Sequence, residues 1–239
     1  MISQPRYLPG LSYLHRISLC DLLISLDTVQ YTPRDWENRN RIKSPTGPLW
    51  LSVPVVHEQR SQLIRTTRVG TEWQWQMKHL RSLEWNYRKA PHFENLYPEL
   101  KAVLQQPWSY LVDLNIDLTA WLLRRLDVSV PVIRASELGA VEGSGSRLLS
   151  DLCRAVGATT YLSGPLGRNY ISTADFTEAG VQVAFHDYVH PVYPQLHGGF
   201  LSNLSSIDLM FNVGPDAKAF LDRDNLSRTD LLAVSQRTP

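Results

Sequence analysis

The chain has 239 residues, of which 43% are hydrophobic, and its formal net charge is +1. This length and composition fit one large folded domain, or one domain with an appendage, and exclude a chain that is disordered throughout. A near-neutral chain also argues against nucleic acid as a partner, because nucleic acid is bound mainly through positive charge.

The cysteines and the absence of long apolar runs bear on the compartment. Cys20 and Cys153 fall on apolar helical patterns, which is typical of unpaired core thiols in a reducing compartment. No run of about 18 apolar residues is present, so we expect no membrane span. A basic segment followed by an apolar one is also missing at the start. The sequence therefore predicts a cytoplasmic protein.

The first 54 residues alternate between apolar segments and polar loops. In chain order they predict a strand end at Ile2, a helix over Leu11–Cys20, a strand over Leu22–Leu26, a polar loop over 30–43 and a strand over Leu49–Pro54. In open α/β sheets, ligands bind beyond the carboxyl ends of the strands. The side chains predicted to lie at those ends are Gln4, Tyr7, Asp27 and Gln30.

The middle of the chain is mostly helical by pattern. The β-branched run Leu63–Val69 predicts a half-exposed strand, and three helices follow over Glu72–Tyr87, Phe93–Gln105 and Trp108–Leu126. Pro98 is expected to kink or split the second helix. We interpret residues 72–126 as a helical insert or cap on the sheet.

The rest of the chain returns to alternating strands and helices, which favours a parallel sheet. The predicted elements are strand Val130–Arg134, helix Ser146–Val156, strand Thr159–Gly164, helix Thr173–Ala179, strand Val181–Phe185, helix Ser205–Asn212 and a helical piece over Asp216–Leu221. We therefore predict an α/β fold, with one domain over residues 1–222 and a weakly ordered tail over 223–239.

A cluster of cationic and amide side chains lies in the predicted polar loop: Arg34, Asn38, Arg39, Asn40, Arg41 and Lys43. Guanidinium groups suit paired hydrogen bonds to phosphate or carboxylate, and the interleaved amides add neutral hydrogen bonds. This pattern predicts an anionic ligand. The alternative is a solvated loop in which the cations pair with Asp35 and Glu37.

A second cluster, within residues 186–200, combines histidine with tyrosine. A metal site at His186, His190 and His197 is disfavoured, because Pro191 breaks any helix that would align them. Acid/base use of one histidine is more plausible, since imidazole titrates near neutral pH. The alternative is a rigid aromatic loop packed by its own side chains.

Several ordered motifs together carry a family resemblance. They are Gln4-Pro5-x-Tyr7-Leu8-Pro9, Leu26-Asp27-x-Val29-Gln30-Tyr31, 38–43, 50–55, 73–79, Lys89-Ala90-Pro91-x-Phe93, 161–164, Tyr170, His190-Pro191-x-Tyr193-x-Gln195 and Ser205-x-Ile207-Asp208-Leu209. Over about residues 2–214 this chain resembles the WbqC-like protein family. It departs at Gly10-Leu11, where a tryptophan-containing pair is expected.

The resemblance implies a place in O-antigen, other glycoconjugate or secondary-metabolite biosynthesis, and it implies little about the reaction. The opening of the chain is also similar to the Rossmann-like fold of HxGH nucleotidylyltransferases. The HxGH sequence itself is missing, so this second likeness concerns the fold alone.

The leading hypothesis is a transferase that moves a small acyl or aminoacyl group to an amine of a sugar or metabolite precursor. The donor would be nucleotide-linked or bound to a carrier protein. The alternatives are nucleotidyl or adenylyl transfer on the same fold, and a non-catalytic binding or scaffold protein. We expect no cofactor and no metal, and self-association is left open.

The hypothesis assigns two sets of residues. The catalytic set is His79, His190 and Asp27. The substrate-binding set is Gln4, Tyr7, Gln30, Asn38, Arg39, Asn40, Arg41, Lys43, Tyr161, Ser163, Tyr170, Tyr193 and Gln195. It further requires that residues 4–9, 27–43 and 161–170 meet in one cationic cleft.

Overall fold

The computed structural model describes residues 1–71, 74–139, 141 and 143–235. Glu72 and Trp73, with which a helix was predicted to begin, lie outside the described residues. None of the helices in the described ranges is both long enough and apolar enough to cross a bilayer.

Among the described residues, strands and helices alternate near the start of the chain and again over residues 132–185, with a β-hairpin and three consecutive helices between these parts. The strands are β1 Ile2–Ser3, β2 Leu23–Ser25, β3 Arg39–Ser44, β4 Gly47–Ser52, β5 Val132–Arg134, β6 Thr160–Ser163 and β7 Gln182–Phe185. The helices are α1 Leu11–Ser18, α2 Trp75–Tyr87, α3 Phe93–Leu104, α4 Leu111–Arg125, α5 Gly145–Ala155, α6 Thr173–Glu178, α7 Ser206–Val213, α8 Ala217–Asp222 and α9 Arg228–Ser235.

Two sets of parallel strands lie side by side. β2 pairs with β1 (Ile2 opposite Ile24) and with β5, and β6 pairs with β7. β6 lies next to β1, where the Tyr161 hydroxyl donates to the Ile2 carbonyl at 3.5 Å. The spatial order is therefore β5-β2-β1-β6-β7. The predicted α/β fold with parallel strands is confirmed; its likeness to one nucleotide-binding fold stays a prediction.

Helices cover both faces of these strands. Consecutive strand residues point to opposite faces, so an apolar strand has side chains to bury on each face. Leu23 belongs to the larger core, together with apolar residues of α1 to α4, α7 and α8. Ile24 belongs to a second core with Ile2, α5 and α6. Full burial of one such side chain contributes about 1.5–3 kcal/mol, so both faces stabilise the sheet.

The helices of the predicted insert share the larger core. Leu83 of α2, Leu100 of α3 and Leu118 of α4 are buried in it together with Leu14 of α1. Pro98 lies inside α3, which runs unbroken over Phe93–Leu104. Of the two predicted effects of Pro98, a kink or a split, the split is therefore wrong. Whether these helices form a separable insert stays a prediction, as does the weak order of the tail.

The polar loop predicted over 30–43 is wrong for its second half, which is strand β3. It pairs antiparallel with β4 through a two-residue connection at residues 45–46. Asn40 and Ile42 are buried on one side of β3, while Arg39 and Arg41 lie on the other. The charged residues hid this alternation, which is the signature of a half-buried strand.

The strand predicted over Leu63–Val69 is also wrong, because Ile64–Thr66 form a 3-10 turn. The hydroxyls of Thr66 and Thr67 both donate to the Leu63 carbonyl, at 3.1 and 2.9 Å. Threonine hydroxyls that bond to nearby backbone compete with a strand ladder. The β-branched residues here support a turn.

Candidate functional site

A cleft of about 520 Å³ lies where the carboxyl ends of β1 and β6 meet. Its walls come from the β1–α1 loop, α1, the segment after β2, the start of α5 and the loop after β6. The lining residues are Ile2, Ser3, Gln4, Arg6, Ser12, Tyr13, Arg16, Leu26, Val29, Gly145, Leu148, Leu149, Tyr161, Ser163, Gly164, Pro165, Leu166, Gly167 and Tyr170.

Two arginines give this cleft its charge. The Arg6 guanidinium lies 5.2 Å from the centre of the Tyr13 ring, and burial lowers the pKa of Arg16, helped by the nearby charge of Arg6. Among the described residues, no carboxylate lies within ion-pair distance of either arginine. An arginine keeps its charge at physiological pH, so the cleft suits an anion.

The loop after β6 lets Arg16 approach the backbone. A Cβ atom on Gly164 would lie 2.0 Å from Nη1 of Arg16, and one on Gly167 would lie 2.1 Å from Oγ of Ser163. Real Cβ atoms do not approach other atoms that closely. Glycine at these two positions therefore makes room for the guanidinium and for the serine at the edge of the cleft.

Four of the predicted site residues line the cleft: Gln4, Tyr161, Ser163 and Tyr170. Tyr161 is buried and stacks on Phe176 with ring centres 5.1 Å apart, and burial raises the pKa of its hydroxyl. Tyr170 is exposed at the mouth. Residues 4–9 and 161–170 meet here as expected, but the segment 27–43 contributes Val29 and none of its cations, so the prediction that its cations line the cleft is wrong.

A smaller pocket of about 110 Å³ adjoins the cleft and shares Arg6, Ser12 and Tyr13 with it. We call it the side pocket. Trp36 and His190 also line it. The shared wall places Arg6 between two cavities, one large and one small.

His190 is engaged through both ring nitrogens. The Asn203 backbone N–H donates to Nε2 at 3.2 Å, so the proton is on Nδ1, which donates to the Pro191 carbonyl at 2.9 Å. Burial lowers the pKa of His190, which favours this neutral form. Its predicted role as a general base stays a prediction, and it requires the loss of the bond from Asn203.

The outer side of the β3–β4 hairpin carries an Arg/Trp surface, formed by Trp36, Arg39, Arg41 and Trp50. The guanidinium carbons of Arg39 and Arg41 lie 4.3 and 5.5 Å from the centre of the Trp50 ring. The alternative ion pairs with Asp35 and Glu37 do not form among the described residues. Arg39 and Arg41 do not line the cleft, which takes its charge from other arginines.

Lys43, Tyr193 and Gln195 belong to a buried network around Asp208. The Asp208 carboxylate accepts from the hydroxyls of Tyr87 (2.7 Å) and Tyr193 (2.9 Å) and from the Gln195 amide (2.7 Å). Lys43 Nζ donates to Gln195 Oε1 at 3.1 Å and to the Gly198 and Gly199 carbonyls. These groups are satisfied inside the protein, which favours a structural role.

Tyr7 and His79 form a buried pair. His79 Nε2 donates to the Ser52 carbonyl at 3.2 Å, and the Tyr7 hydroxyl donates to Nδ1 at 2.7 Å. Burial lowers the pKa of His79 to about 4. His79 borders a different groove, of about 570 Å³, which shares no residue with the cleft. His79 and His190 therefore face separate cavities.

The remaining predicted site residues form hydrogen bonds to other segments of the protein. Asp27 is fully buried and accepts from the Ser136 hydroxyl (2.6 Å) and backbone N–H (3.0 Å). Gln30 donates to the Arg60 carbonyl. The Asn40 amide donates to the Leu8 carbonyl at 2.7 Å.

Asn38 likewise donates to the Val53 carbonyl at 2.9 Å. The other two histidines of the 186–200 segment take separate partners: His186 pairs with His15 at 2.8 Å, and His197 bonds to the Asn86 carbonyl.

Sequence reasoning missed Arg6 and Arg16, the two cations of the cleft. Arg6 stands inside the Gln4–Pro9 motif at the end of the central strand, which is a signal that could have found it. Arg16 lies off the apolar stripe of α1 and carries no sequence signal of its own. Its place in the cleft follows from the tertiary contact with Gly164.

The fold and the cleft define an α/β protein with an arginine-lined cleft beyond its parallel strands. The model of the WbqC-like protein family matches residues 4–220, and the chain belongs to that family. It is also similar to the uncharacterized protein Rv1507c of Mycobacterium tuberculosis (strain ATCC 25618 / H37Rv), with 38% identity over 224 residues, 92% of this chain and 96% of that protein. No solved structure matches the chain.

Proposed function

We propose that this protein is a transferase whose donor carries a phosphate group, and that it moves a small acyl or aminoacyl group from that donor to an amine. The observation that carries the proposal is the pair of arginines in the cleft, Arg6 and Arg16, which have no carboxylate partner among the described residues. Two cations held close together without a counterion favour a dianionic ligand such as a phosphate ester.

The position of the cleft supports a donor site. It lies at the carboxyl ends of β1 and β6, between the strand that leads to α1 and the strand that leads to α6. Ligands of open α/β sheets bind at such ends, where neighbouring connections leave in opposite directions. Ser163 and the glycines that follow it would contact the donor, and Tyr170 would cover it.

The side pocket supports a place for the acceptor. It opens beside Arg6, so a molecule held there would be next to a donor phosphate held by Arg6 and Arg16. Trp36 offers an apolar face on which a sugar ring can pack, which suits an acceptor such as a sugar. The glycoconjugate or secondary-metabolite pathway implied by the family is part of this proposal.

A second candidate is nucleotidyl or adenylyl transfer, and the strand order β5-β2-β1-β6-β7 favours it. In doubly wound sheets that order places a nucleotide between the first and fourth strands of the series, which here are β1 and β6. Release of pyrophosphate from a nucleoside triphosphate would distinguish this reaction from acyl transfer.

Binding of inorganic pyrophosphate, measured by isothermal titration calorimetry, tests the shared part of both candidates. We expect the wild-type chain to bind it, Arg16→Gln and Arg6→Gln each to weaken binding about tenfold, and the exposed Arg81→Gln to bind like wild type. Equal affinities of all four proteins, or no binding by the wild type, would reject the arginine cleft as the donor site.

A further inference from the structure

Glu37 is a buried carboxylate without a hydrogen-bond donor. Both of its oxygens are closed to solvent and have no partner, and the residue is 2% exposed. A carboxylate in this state is unfavourable unless it is protonated or a ligand supplies N–H or O–H groups. Burial, aided by the charge of Asp35, raises the pKa of Glu37 to about 7.

The groups around Glu37 also lack partners. The Tyr31 hydroxyl is buried and unpaired, and burial raises its pKa, with the charge of Glu37 adding to the effect. Asn38, the next residue, and Asn115, whose amide nitrogen bonds to the Glu37 carbonyl, also have unpaired amide oxygens, and the unpaired donors of this segment include Nε of Arg39 and Nε of Arg41. Acceptors exceed donors in this cluster, so it suits a ligand that brings several N–H groups.

The Glu37 backbone lies next to the Pro5–Tyr7 segment, whose Arg6 lines both the cleft and the side pocket, while Glu37 itself lines neither cavity. The carbonyl of the preceding Trp36 accepts from the Tyr7 backbone N–H at 2.9 Å, and the Asn115 amide donates to the Glu37 carbonyl at 2.7 Å and approaches that of Pro5 at 3.5 Å. Pro5 and Tyr7 flank Arg6, whose charge acts on Glu37.

We propose that Glu37, with Tyr31 beside it, binds the primary amine of the acceptor and takes a proton from it. The role rests on the transferase function proposed above. Access requires displacement of the turn over residues 32–35, which connects Tyr31 to Trp36 and is exposed at its first three positions.

The chemistry balances with an acyl donor activated by phosphate. The neutral amine nitrogen attacks the acyl carbon, the N–C bond forms, and the bond from that carbon to the phosphate oxygen breaks. One proton of the nitrogen passes to the Glu37 carboxylate, and the phosphate leaves with the electron pair as an anion beside Arg6 and Arg16. An ionised glutamate whose pKa lies near the working pH is suited to this transfer.

The experiment follows the Glu37 carboxyl by NMR in protein labelled with ¹³C at the glutamate carboxyls, with the signal assigned by its absence in Glu37→Gln. We expect a midpoint near pH 7 in the free protein. Methylamine should lower that midpoint by about one pH unit, because an ammonium group that donates N–H hydrogen bonds to the carboxylate favours its ionised form. Tetramethylammonium, which has the same charge and no N–H, is the control and should leave it unchanged.

No movement with methylamine, or equal movement with both cations, overturns the proposal. Pyrophosphate binding to the same samples keeps the two ideas apart. A specific methylamine response in a protein that does not bind pyrophosphate supports the amine site and rejects the phosphate-bearing donor. Pyrophosphate binding without an amine response rejects the role of Glu37 and leaves the donor site intact.

Discussion

The Asp208 network and the arginine cleft both contain charged side chains, but they differ in whether those charges have partners within the protein. In the network, the buried carboxylate receives three donors, and the buried Lys43 contacts three acceptors. In the cleft, Arg6 and Arg16 have no carboxylate partner among the described residues. Buried polar groups that are satisfied specify the fold, while charged groups without partners mark where a ligand is expected.

The network side of this comparison predicts the largest effect. Asp208→Ala should reduce the free energy of unfolding by about 3 kcal/mol or more, because three donors, from Tyr87, Tyr193 and Gln195, lose their acceptor. Urea denaturation at neutral pH measures it. The exposed Asp216→Ala should change stability by no more than about 0.5 kcal/mol. Equal losses in the two variants would contradict a structural network.

Glu37 sharpens the comparison because it is buried and yet unsatisfied. Its folded-state pKa of about 7 lies above the ordinary 4.5, so the folded protein holds a proton that the unfolded chain releases between these values. Stability from this group is therefore full below pH 4.5 and is lost as the pH rises through 7, by about 2 kcal/mol between pH 5 and pH 8.

Glu37→Gln cannot release that proton, so its stability relative to wild type should increase over the same range. Urea denaturation of both proteins at pH 5 and pH 8 measures the difference. Parallel pH profiles would show that Glu37 has a hydrogen-bond donor after all.

His79 should show the opposite sign. Its folded-state pKa of about 4 lies below the ordinary 6.5, so the unfolded chain takes up a proton that the buried ring refuses. Its contribution is complete above pH 6.5 and is lost as the pH falls, by about 2 kcal/mol between pH 7 and pH 5. In His79→Gln, the free energy of unfolding should fall less between pH 7 and pH 5 than in wild type. Part of the fall should remain, because His186 also has a pKa lowered to about 4. The same fall in the free energy of unfolding in the variant and in wild type would indicate that the His79 ring is in contact with water.

Gly164→Ala tests the cleft with a small change. The new methyl group would meet the end of the flexible Arg16 side chain and displace its guanidinium. Pyrophosphate affinity should fall about tenfold with little loss of stability, because one charge-assisted contact is lost. Gly199→Ala has open space around its Cβ and is the matched control. Wild-type affinity in Gly164→Ala would remove Arg16 from the site.

The sequence predicted the sheet well because its strands carry apolar runs bounded by turn residues. The boundaries of β2, β5, β6 and β7 fall within the predicted segments. It failed at β3, where arginines occupy the outer positions of a half-buried strand. It failed again at Leu63–Val69, where threonine hydroxyls bond to the preceding backbone.

The cleft was predictable in place and less so in its residues. The rule that ligands lie beyond strand ends pointed to Gln4, Tyr7, Asp27 and Gln30, of which Gln4 lines the cleft. Charge density in the sequence pointed instead to Arg39, Arg41 and Lys43, whose side chains stack on tryptophan or are buried in the Asp208 network. Which cation faces a cavity depends on contacts between distant segments, and one sequence does not record them.

The junction of β1 and β6 has a mechanical consequence. Among the described strands, backbone ladders join β1 to β2 and β6 to β7, whereas side-chain contacts, including the long Tyr161 hydroxyl bond and the His15–His186 bond, join β1 and its helix to the β6–β7 half. Because no backbone ladder joins β1 to β6, we expect local opening between them to cost less than opening of either ladder. Amide protons along β6 that face β1 should accordingly exchange with deuterium sooner than those shared with β7, and a bound anion spanning the junction should slow them.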